Sequence, residues 1–162
     1  IAIAFRSLSL PLLLVLTIEI SIWINLAIPY FGGTSLNYIG YLIISTVQLG
    51  ATVDYGILLT QHYLDNRQMM GRKEAAEKSV TDTAASLIAP GFILAAAGFV
   101  LARVSSITVV SELGLVLGRG ALLSLFMVIF LLPNLLRIFD RFIEKTTRKA
   151  NFMPDRLLQR KD

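Results

Sequence analysis

Residues 9–28 read SLPLLLVLTIEISIWINLAI, an apolar stretch whose single charge is Glu19. As a helix rising about 1.5 Å per residue, it is about 30 Å long, the thickness of a bilayer's hydrocarbon core. Pro11 falls in its first turn, where a missing N–H is harmless. Pro29, followed by Tyr30-Phe31-Gly32-Gly33, is expected to end it in a short turn. Trp23, Tyr30 and Tyr38 suit the membrane interface, where amphipathic rings are favoured.

Three more stretches of this kind follow, over about 36–63, 84–101 and 107–132. Between the second and third, residues 64–83 are polar, and Lys73/Glu77 with Ala76/Val80 spacing predicts a short surface helix. Pro90-Gly91 predicts a kink in the third span. Val104-Ser105-Ser106 reads as a tight turn, and Pro133 as the end of the fourth span. Beyond it, Leu135, Ile138, Phe139, Phe142 and Ile143 recur at helical spacing, the pattern of an amphipathic helix on a membrane surface. The last dozen residues read as disordered. Ile1 to Phe5 is apolar but too short to cross a bilayer, and is read as the tail of a preceding helix.

The composition agrees. The chain of 162 residues is 55% hydrophobic and 16% charged, with mean hydropathy +0.69. Soluble domains average roughly 25% charged residues, so an ordinary soluble domain is excluded. The fold class is therefore all-α integral membrane, with four transmembrane helices. The absence of cysteine removes disulfide and thiol chemistry.

The distribution of charge explains the pI of 9.6. Arg6, the four basic residues between spans two and three, and eight after span four fall on one side if the spans alternate. Arg103 is alone on the other side, and Arg119 lies within a span. This asymmetry is the positive-inside signature, so the 64–83 loop and the C-terminus are expected in the cytoplasm of a cell membrane. The same charges attract anionic lipid. They flank spans and form no recognition motif, so nucleic acid is not an expected partner.

Charge inside a span is costly and usually functional, with a structural pair as the alternative. Asp54 is the leading candidate for a proton relay. It follows Gly50 by one helical turn, in Gly50-Ala51-Thr52-Val53-Asp54-Tyr55-Gly56. Desolvation favours its neutral form and a nearby cation its anion, so a carboxyl between the two can load and release a proton. Tyr55 offers a hydrogen bond to position it. Glu19 either joins this site or makes a structural contact elsewhere. Arg119, between Gly118 and Gly120, is a candidate counter-ion to Asp54 or Glu19. Gly50, Gly118 and Gly120 would let neighbouring helices approach closely. Glu112 reads as the partner of Arg103. His62, two turns beyond Asp54, either accepts a proton leaving it or is an interfacial polar residue. A lone histidine without a second ligand makes no metal motif. No phosphate-cradling GxxxxGK[ST] or nucleophile elbow occurs, so neither a cofactor nor an enzyme is expected.

Taken together, Phe5-Arg6-Ser7 with Pro11, Gly50-x-x-x-Asp54-Tyr55, Gly71 with Ala75-Ala76, Gly114, Gly118-Arg119-Gly120 and Leu132-Pro133 resemble the MMPL-type permeases of the resistance–nodulation–division (RND) superfamily, from Ile1 to about Lys145. The resemblance implies that residues 1–5 close a second helix. It makes 9–133 the four-helix region of one half, the second being favoured, and 134–162 a basic cytoplasmic tail. It implies a bacterial exporter of lipids or other hydrophobic compounds, driven by protons through Asp54 and Tyr55. Its partners would be membrane lipids and the remaining part of the permease. Thr52 stands where the family often has glycine, and His62 and Leu64 where it often has Arg-x-Arg. Two other readings are a non-transporting lipid-sensing or scaffold module, and a protein-translocation accessory subunit of the same superfamily.

Overall fold

The computed structural model describes residues 7, 9–33 and 38–146, and every regular element among them is helical. Helix α1 is Ser9–Phe31, α2 Tyr38–Arg67, α3 Arg72–Val104 and α4 Thr108–Phe126. A π-helical turn, Met127–Leu131, leads into α5, Leu132–Ile138, and α6 is Asp140–Thr146. Four stretches are long and apolar enough to cross a membrane: Ser9–Phe31, Tyr41–Arg67, Arg72–Val104 and Thr108–Ile138. The expected tail helix at 1–5 and the disordered last dozen residues lie outside the described residues. Large apolar side chains such as Leu12, Phe92, Ile93, Phe126 and Phe130 point outward, as lipid-facing positions should.

The helix ends differ from the sequence expectation for identifiable reasons. Pro29 does not end α1. The helix continues to Phe31 and closes at Gly33, whose φ of +68° suits a residue without Cβ. The separate surface helix within 64–83 does not exist either. From Arg72 onward the chain is one helix with the third span, and Pro90 lies inside it without ending it. Its buried stripe is unbroken: Ala75, Ser79, Thr83, Leu87, Gly91, Ala95 and Gly98. Ser79 and Thr83 look polar in sequence. Each hydroxyl donates to the carbonyl four residues back, Ala75 O and Ser79 O, so each packs as a small residue.

The fourth span runs past Pro133 to Ile138. Proline cannot donate to the carbonyl four residues back, and the π turn precedes it, with the Leu132 amide on Met127 O. The expected surface helix breaks at Phe139, where φ is −90° and ψ is 10°. Leu136, Asp140 and Ile143 turn inward, whereas Ile138, Phe139 and Phe142 stay exposed.

Helices α3 and α4 touch backbone to backbone. A Cβ on Gly98 would sit 2.5 Å from Gly118 N, and one on Gly114 would sit 2.6 Å from Ala102 N. Gly114 and Gly118 are one turn apart and form the small-xxx-small face that permits such approach. At the other end of the bundle, Leu10, Leu14, Leu59, Tyr63, Leu136 and Ile143 form a core that ties the start of α1 to the end of α2 and to α6. The described basic residues 67, 72, 73, 78, 137, 141 and 145 belong to elements meeting at this end. Arg103 is at the opposite one.

Candidate functional site

Asp54 lies mid-way along α2, about 20 Å from its Arg67 end by helical rise. It is exposed, and among the described residues it makes no hydrogen bond or ion pair. Gly50, one turn earlier, has no atom within 4 Å of where a Cβ would be. Gly50 therefore packs against no described helix, contrary to its expected role within this bundle. Tyr55 is half-buried and packs against the core, so no hydrogen bond joins it to Asp54. His62 is half-buried.

The structure does not bring Glu19, Asp54 and Arg119 together. Glu19 is exposed on α1 and accepts a hydrogen bond from Trp23 Nε1 at 3.1 Å. Nor does an ion pair join Glu112 to Arg103 among the described residues.

Arg119 has amide partners in place of a carboxylate. Its Nε donates to Asn25 Oδ1 at 2.9 Å and its Nη2 to the Asn25 carbonyl at 3.0 Å. Asn25 Nδ2 donates to Gln48 Oε1 at 2.9 Å and to Val116 O at 3.1 Å. Gln48 Nε2 in turn donates to Ser21 Oγ at 3.0 Å and Ser124 Oγ at 3.1 Å. Asn25 and Gln48 thus use both amide hydrogens and the carbonyl oxygen, and the network links α1, α2 and α4. Gly120 makes room for it, since a Cβ there would sit 2.5 Å from Asn25 Nδ2. The two glycines flanking Arg119 therefore act differently: Gly118 admits the α3 backbone, and Gly120 admits two amide side chains. Asn25, Gln48, Ser21 and Ser124 do not stand out in the sequence, because neutral groups carry no conspicuous insertion penalty. Their helical spacing, 21/25 on α1, was the available signal.

A second polar cluster closes the basic end. Arg67 grips Asp140 with Nε at 3.0 Å from Oδ1 and Nη2 at 3.0 Å from Oδ2, and the two side chains are only 4% and 3% exposed. Tyr63 Oη donates to Asp140 Oδ1 at 2.7 Å, and Arg67 Nη1 to the Met70 carbonyl at 3.0 Å. In sequence Arg67 reads only as a topogenic charge. Its place on the buried stripe of α2, one turn after Tyr63, is the sequence signal of its structural role.

No solved structure matches this chain significantly. A Streptomyces coelicolor protein named as membrane protein ActII-3 is 29% identical over 148 residues, covering 88% of this chain. The chain spans about a fifth, 21%, of that relative's length. The MMPL family model matches residues 1–159, nearly the whole chain. With four helices of spanning length, the chain is a multi-pass membrane protein and belongs to the MMPL family.

Proposed function

We propose that this chain is the four-helix portion of a proton-driven permease that exports lipids or other hydrophobic compounds from a bacterial cell. The observation that carries the reading is Asp54, a mid-span carboxylate without a hydrogen-bond or ion-pair partner among the described residues. A carboxylate left so in hydrocarbon costs roughly 2.5–3.5 kcal/mol on insertion scales, so it calls for a proton or a partner. Beside it, Gly50 leaves a gap in the same face of α2. That face suits another part of the permease, which would complete the relay around Asp54 and Tyr55. Membership of the MMPL family supports a membrane transporter.

In this reading Asp54 takes a proton from outside, and the proton's release inside resets the helix against its partner. One charge crossing 100 mV supplies about 2.3 kcal/mol, enough that a few protons drive a conformational cycle. The basic end, with Arg67, Arg72, Lys73 and Lys78, would face the cytoplasm by the positive-inside rule. The polar network at Asn25, Gln48 and Arg119 would hold α1, α2 and α4 as one unit during that movement. Export by cells carrying Asp54→Asn tests the reading. Loss of export at unchanged membrane abundance supports it, and full export contradicts it.

A further inference from the structure

A recess of about 720 Å³ opens along the outer face of α1 and α2. That volume lies within the range of small-molecule sites. Its rim is aromatic, with Tyr30 and Phe31 packed edge to face at 5.6 Å and Tyr41 opposite. Further along α1, about 18 Å and about 12 Å from the Phe31 end by helical rise, lie Glu19 and Trp23.

Among the described residues lining the recess, Glu19 is the one charged side chain. On the opposite wall the Ser45 and Thr46 hydroxyls already donate to their own helix, Ser45 Oγ to Tyr41 O and Thr46 Oγ1 to Leu42 O, both at 2.9 Å. Glu19 accepts one hydrogen bond, from the Trp23 indole at 3.1 Å, and keeps lone pairs for another partner. A carboxylate at this depth is costly unless a proton or a positive charge meets it. The adjoining indole face attracts the same sign of charge.

We propose that this recess binds a cationic amphiphile, with its positive group between the Glu19 carboxylate and the Trp23 ring. Its apolar body lies along Leu26 and Leu49 toward Tyr30 and Tyr41. The sign of the lone charge selects this occupant: an anion is repelled, and a neutral lipid leaves the carboxylate uncompensated. A helix of the intact protein carrying a lysine or arginine is the rival occupant. Asp54 is not part of the recess, and binding requires no proton flow, so the site stands or falls apart from the relay.

The test is equilibrium binding of radiolabelled tetraphenylphosphonium to the intact protein in lipid nanodiscs. Tetraphenylborate, of the same shape and opposite charge, is measured separately. Saturable phosphonium binding is expected, weakened about tenfold or more by Glu19→Gln and several-fold by Trp23→Leu, with weak binding of the borate. Lys73→Gln, exposed on α3 far from the recess, should bind as the parent does. Equal binding by the parent and Glu19→Gln overturns the proposal, as does borate binding as tight as phosphonium. Absence of saturable binding by the parent also overturns it, and assigns the recess to a covering helix. Should Glu19→Gln fail to fold, unchanged binding in Trp23→Leu overturns it.

Discussion

Arg119 donates from Nη2 to the backbone carbonyl of Asn25 at 3.0 Å, and that carbonyl's ordinary helical donor would be the amide of residue 29. Residue 29 is proline, which has no N–H. The proline thus opens an acceptor inside a span, and a side chain from another helix fills it. Leaving such a carbonyl unsatisfied costs about 1–3 kcal/mol. The pairing accounts for an arginine at this depth without a carboxylate.

This relationship predicts coupling between the two positions. Arg119→Gln should destabilise the bundle, and Pro29→Ala should reduce that loss by restoring the helical donor. Thermal unfolding of the single and double variants in detergent should give a coupling of about 0.5–1.5 kcal/mol. Strict additivity would show that the carbonyl is satisfied some other way.

Gln48→Leu should cost about 1–3 kcal/mol, because Asn25 loses one of its two acceptors and Ser21 and Ser124 lose a shared donor. Gln48→Glu should be worse than a loss of donors alone, since it buries a carboxylate against two hydroxyls. Unfolding midpoints unchanged from the parent would show the network to be dispensable.

The glycines separate two kinds of surface. Gly118→Val should destabilise the α3–α4 contact by roughly 1–3 kcal/mol or more, because its Cβ would meet Ala95 O at 2.9 Å. Gly50→Ala should leave the unfolding midpoint of this bundle nearly unchanged, since nothing lies within 4 Å. If the Gly50 face docks another part of the permease, the same substitution should lower export. A large stability loss at Gly50 together with none at Gly118 would reverse the packing described here.

At the basic end, Asp140→Asn or Arg67→Met alone should cost about 3–5 kcal/mol, since each leaves a buried charge without its partner. The double variant Arg67→Met/Asp140→Leu should recover much of that loss. Urea or thermal unfolding of the three variants checks it. A double variant as unstable as the sum of the singles would mean that the pair is not acting as a unit.

Much of this fold was legible because charge is so sparse. The stretch around Glu19 and the apolar runs after it mark the four spans directly. Boundaries were harder wherever polarity is disguised. Ser79 and Thr83 bond their own helix, which hid the continuity of α3. Pro29 and Pro133 looked like stops because their cost is read locally, whereas Arg119 and a π turn compensate for it in three dimensions. The Arg67–Asp140 pair bridges 73 positions, a separation at which periodicity carries no information. Asp54 stood out because an isolated carboxylate in a span is costly, and Asn25 and Gln48 did not because amides are cheaper to insert.

The most direct measurement of the relay is proton flux in proteoliposomes of the intact permease, followed with an internal pH dye under an imposed proton gradient and saturating substrate. The parent should acidify the lumen in step with transport. Asp54→Asn, at equal protein density and equal unfolding midpoint, should abolish both. Substrate-coupled acidification by Asp54→Asn at the parent's rate would contradict a proton relay through this residue.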